Sequence, residues 1–141
     1  MYIIYYLLYT CIGSNVFGAL TTGTHNVAIG YNSMTTATTA SNNVAVGSGA
    51  LQTITTNGSE TAIGYHALNA LTTGTNNVAV GAQTLEVLTT GASNTAIGYN
   101  AMIATTTGSA NVSFGASALQ ANTTGSYNIA IGLNLLDVDY I

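Results

Sequence analysis

The sequence predicts an all-β fold, a parallel β-solenoid (β-roll) of about eight coils, each 17 residues long. Three observations carry that expectation. Glycine recurs at Gly13, Gly30, Gly47, Gly64, Gly81, Gly98, Gly115 and Gly132, always 17 residues apart. A threonine pair keeps the same spacing, from Thr21-Thr22 through Thr72-Thr73 to Thr123-Thr124. A third column in register reads Phe17, Met34, Leu51, Leu68, Leu85, Met102, Leu119 and Leu136. Self-similarity at a fixed period marks a repeat architecture, and a helical-hairpin unit needs about 33 residues or more.

The elements of one coil follow in order. Asn26-Val27-Ala28-Ile29 alternates with period two, as a strand does, and is rich in β-branched residues. Gly30 closes that strand. A second short strand is expected through Leu68 to Leu71, ending at Thr72. The residue after each threonine pair is usually glycine (Gly23, Gly74, Gly91, Gly108, Gly125), which suits a turn with positive φ. Residues 1–10 form an apolar, tyrosine-rich segment, 11–136 the repeat array, and 137–141 a tail.

Stacked coils turn columns into ladders spaced about 4.7–4.9 Å apart. Val27, Ile29, Ile63, Val80 and Ile97, together with Leu68 and Leu85, are expected to line the interior. Ile63→Asp should then bury an unpaired charge. The opposite strand face carries small residues, Ala28, Ala45, Ala62, Ala79, Ala96 and Ala130, and reads as a face against which a second chain can pack closely. Asparagine at Asn26, Asn43, Asn77, Asn94, Asn111 and Asn128 forms a polar ladder, interrupted by Glu60. Residues Tyr31, Tyr65 and Tyr99 alternate with Ser48, Ala82 and Ala116, which reads either as each ring packing beside a smaller neighbour or as duplication of a two-coil unit.

The Asn-x-Ala-Ile-Gly strings at 26–30 and 94–98, with Val for Ile at 43–47 and 77–81, resemble the head repeats of trimeric autotransporter adhesins, the YadA-like β-roll. They also look like repeats of bacterial surface fibres and phage tail fibres. That resemblance spans about residues 11–136. It implies a left-handed roll, a homotrimer, and a role in surface attachment or fibre building. The 17-residue period exceeds that of typical adhesin heads, and the chain shows no coiled-coil stalk or membrane anchor.

Composition limits the chemistry. The chain has no Lys or Arg and only four acids, so the basic face needed to bind nucleic acid is missing. No apolar run is long enough to span a bilayer. One cysteine cannot build a disulfide framework. His25 and His66 stand in different columns, as do Glu60 and Glu86, which argues against a stacked metal site or a carboxylate pair. Asp137 and Asp139 read as a solvated tail. The expectation is a structural, non-enzymatic protein without catalytic residues, metal or cofactor. It would sit outside the cell, on its surface or in a virion fibre. Its partners would be copies of itself, as a homotrimer or end-to-end filament, and a host-surface or matrix ligand. The alternatives are an ice-binding β-solenoid, suggested by the threonine pairs, and a phage tail-fibre shaft. A carbohydrate-processing solenoid would need a carboxylate cluster.

Overall fold

The computed structural model describes residues 8–135. Most of the apolar N-terminal segment, Leu136, and the tail with Asp137 and Asp139 lie outside the described residues. Eight short strands run in chain order: β1 (Tyr9–Ile12), β2 (Asn26–Ile29), β3 (Val44–Val46), β4 (Thr61–Ile63), β5 (Val78–Val80), β6 (Thr95–Ile97), β7 (Val112–Phe114) and β8 (Ile129–Ile131). All pair in parallel, each with the next, in one sheet. The register advances by one repeat at each step, as in Ala45 to Ala62 to Ala79. The chain is therefore a β-solenoid with one coil per 17-residue repeat. Its first strand starts at Tyr9, two residues before the expected start of the array.

Each coil turns where the repeat places its special residues. Gly81 holds φ at 134°, and a Cβ there would lie 2.5 Å from the Gly98 carbonyl oxygen. Glycine closes the strand because a side chain would meet the next coil's backbone. Two further corners are left-handed without glycine: His66 has φ 54° and Leu68 has φ 50°. Met34, Leu51, Leu85, Met102 and Leu119 share the Leu68 conformation. A bulky residue in this region costs about 1–2 kcal/mol. Burial offsets the cost, since full burial of such a side chain contributes about 1.5–3 kcal/mol, and Leu68 and Leu85 are fully buried.

These corners replace the second strand expected at Leu68 to Leu71. That stretch is a tight turn in which the Leu71 N–H donates to the Leu68 carbonyl at 3.3 Å. Gly74 also differs from expectation, because its φ is not positive. Glycine serves there because a Cβ would run into the Gly91 carbonyl of the next coil.

The two faces of the strand are reversed relative to the sequence reading. Ala28, Ala45, Ala62, Ala79 and Ala96 are fully buried and Ala130 nearly so. Val27, Ile29, Val80 and Ile97 lie half-exposed on the outside, and Ile63 is 39% exposed. The alanines are therefore core, and these valines and isoleucines are outer surface. Leu68 and Leu85 do lie inside. The reason is space. The far wall sends two large columns inward, Met34, Leu51, Leu68, Leu85 and Met102 beside Ile54, Leu71 and Leu88. What remains over the strand admits little more than a methyl group, so large side chains on one wall meet small ones on the other. Period-two geometry then places Asn26, two residues before Ala28, on the same inner face.

The threonine pair divides its work. Both N–H groups of Thr72-Thr73 donate to the Thr89 carbonyl, at 2.9 and 3.2 Å. The Thr72 hydroxyl donates to that same oxygen at 3.0 Å. Thr21, Thr38, Thr89 and Thr106 repeat the hydroxyl contact. The first threonine therefore ties coil to coil where no strand is present.

Candidate assembly surface and interior polar ladder

The outer face of the sheet is open to solvent along its length. Its two columns come from alternate strand positions: one is apolar throughout, Ile29, Val46, Ile63, Val80, Ile97 and Phe114, and the other alternates Val27, Val44, Val78 and Val112 with Thr61 and Thr95. Phe114 is 55% exposed, and Ile129 and Ile131 are more open still. Tyr31, Tyr65 and Tyr99 stand just past the strands and are also exposed. Scattered apolar residues are ordinary on a surface, but a contiguous apolar strip marks a contact site. No charged side chain stands in either column.

The interior ladder is continuous and hydrogen-bonded. The Asn94 side-chain N–H donates to Asn77 Oδ1 at 3.1 Å, and the Asn94 backbone N–H donates to the same atom at 3.0 Å. Asn43, Asn111 and Asn128 repeat both bonds to Asn26, Asn94 and Asn111. Asn26, Asn77, Asn94 and Asn111 also donate to a carbonyl in the next coil, Ala40, Gly91, Gly108 and Gly125 respectively. Buried amides need such partners, and each ladder asparagine supplies both donor and acceptor at its level.

Glu60 occupies one rung and is 1% exposed. Its backbone N–H donates to Asn43 Oδ1 at 3.0 Å, and its Oε2 accepts from the Asn77 N–H at 2.9 Å. Burial pushes its carboxyl up to about 7, partly opposed by hydrogen bonds from Asn77 and Asn76.

The remaining titratable residues are dispersed, with one exception. His66 Nδ1 lies 2.9 Å from Glu86 Oε1, and Gln83 donates to Glu86 Oε2 at 3.0 Å. Tyr65 stacks on the His66 ring at 4.0 Å. Sequence reasoning missed this pair by comparing identical columns only. The signal is a separation of one repeat plus three residues, which brings the two side chains together across neighbouring coils. His25 Nδ1 contacts Thr24 Oγ1 at 3.0 Å, and Cys11 is exposed. Among the described residues no cluster of three or more His, Cys, Asp or Glu could hold a metal ion. No helix there is long and apolar enough to cross a membrane.

Compared with known protein families, curated proteins and solved structures, the chain matches none.

Proposed function

We propose that the chain is a non-enzymatic structural subunit of an extracellular fibre or adhesin, which assembles with copies of itself. The observation that carries this reading is the apolar outer face, Val27 and Ile29 through Val112 and Phe114, running the length of the sheet. A second copy of the same face is the partner that fits it best. Both would bring one apolar column, and beside it a Val and Thr column, without a charge to desolvate, which favours self-association. Resemblance to trimeric adhesin heads points to three copies. The alanines drop out of the interface and the Val and Ile columns take their place.

The threonines support this reading over ice binding. A flat ice-binding array needs free hydroxyls in two dimensions. Here the first threonine of the pair is engaged with a carbonyl of the next coil. The hydroxyls of Ser41, Ser109 and Ser126, beyond the pair, accept backbone N–H groups. That leaves a single file of second threonines.

Sedimentation of the full chain and of an Ile63→Arg, Val80→Arg double variant tests the proposal. The expected result is a stable oligomer that the double variant reduces to folded monomer. A wild-type chain that sediments as a stable monomer at micromolar concentration would overturn it.

A further inference from the structure

One coil breaks the repeat twice, and the two breaks meet. After the threonine pair, Gly23, Ala40, Gly74, Gly91, Gly108 and Gly125 stand where the coil of β4 has Asn57. Three residues later that same coil replaces the ladder asparagine with Glu60. In the neighbouring coils these positions touch: a Cβ on Gly74, Gly91 or Gly108 would lie 3.1–3.2 Å from the side-chain nitrogen of Asn77, Asn94 or Asn111. A side chain at 57 therefore abuts the carboxyl of Glu60.

The hydrogen bonds show that one change offsets the other. Regular ladder asparagines donate to the carbonyl 14 residues ahead, as Asn77 does to Gly91. The Glu60 side chain has no N–H to give. The Gly74 carbonyl at that level accepts from the side chain of Asn57 instead. The exchange leaves two buried oxygens in this coil without a donor, Asn57 Oδ1 and Glu60 Oε1. Two buried acceptors without a donor are satisfied at once if one of them carries a hydrogen for the other. The chain holds no Lys or Arg to counter a carboxylate. The coils above and below present neutral Asn43 and Asn77. Glu86 pairs with His66 at a half-buried corner instead of the ladder.

We propose that Asn57 and Glu60 form a proton-binding site inside the β4 coil, in which the protonated Glu60 carboxyl donates from Oε1 to Asn57 Oδ1. Release of that proton to solvent leaves an unpaired carboxylate facing a carbonyl oxygen, and the array loosens at this coil. The elevation of Glu60 to about 7 agrees with the geometry. The sign follows from the ordinary value of 4.5, which applies to the unfolded chain. The proton's contribution to stability is complete below pH 4.5, declines as pH rises, and is gone above about 7.

Thermal unfolding of the full chain, followed from pH 4.5 to above pH 7, tests this. The wild-type midpoint should fall by roughly 10 °C across that window. Glu60→Gln, and Glu60→Asn, which restores the ladder, should remove that fall. Asn57→Gly, which restores the repeat, should shift the fall to lower pH. Infrared difference spectra between wild type and Glu60→Gln below pH 7 should contain a protonated-carboxyl band. A pH dependence that survives in Glu60→Gln would overturn the proposal, as would a difference spectrum showing carboxylate alone. Stabilisation of wild type by calcium or sodium chloride at alkaline pH, absent from Glu60→Gln and without stabilisation in acid, would assign the site to a cation and overturn the proton. An unchanged midpoint in Asn57→Gly would overturn the role of Asn57.

Discussion

Ala62 and Ile63 are neighbours in one strand, yet the smaller is fully buried and the larger is 39% exposed. The same contrast recurs between Ala79 and Val80 and between Ala96 and Ile97. Hydrophobic size does not decide which face of this sheet turns inward. The facing wall decides, because Leu68 and Leu71 already fill the coil. An apolar residue in this fold therefore belongs to one of two populations. One holds each coil together, and the other lies on the outer surface of the sheet.

Five substitutions break or sharpen that contrast, from the largest expected effect to the smallest. Ala62→Arg forces a long cation into space sized for a methyl group. It should cost more than about 4 kcal/mol and abolish the cooperative melt. Ile63→Arg, one residue on, should keep the strand signal in circular dichroism and change only the sedimentation coefficient. Equal loss of structure in both would erase the distinction between the faces. Leu68→Ala removes part of the wall that confines the alanines. A loss of about 2–5 kcal/mol in denaturant unfolding is expected.

Asn94→Ala tests the polar half of the interior. It leaves the Gly108 carbonyl, Asn77 Oδ1 and the Asn111 N–H each short of a partner. Orphaned groups of this kind cost about 1–3 kcal/mol, measurable by the same unfolding curve. Ile63→Ala is the mildest of the five. It should alter monomer stability by less than about 1 kcal/mol while weakening self-association, since an exposed side chain loses little on truncation. A cost comparable to Leu68→Ala would place Ile63 in the core after all.

Much of the architecture was legible in the columns. The glycine spacing fixed the coil length, and Val27-Ala28-Ile29 fixed the strand. The Leu68 column was legible as interior, because nothing polar interrupts it. The orientation of the strand was not. Alternation separates Val27 and Ile29 from Ala28 but carries no sign, and the usual rule sends the larger set inward. One clue was present: Asn26 shares the face of Ala28, and an asparagine ladder that satisfies itself has no need of water. The His66–Glu86 contact stayed hidden because it joins different columns in successive coils. The left-handed corners at Leu68 and its counterparts were hidden as well, because leucine does not announce positive φ.

By itself the sequence determined the period, the parallel stacking and the identity of every ladder. Those follow from repetition, since equal spacing brings equal residues into register whatever the coil's shape. Tertiary structure alone decided which ladder faces inward and which stays outside. That choice depends on the volume left by the opposite wall and on where the next coil's carbonyls lie. Neither quantity exists until the chain has closed its turn.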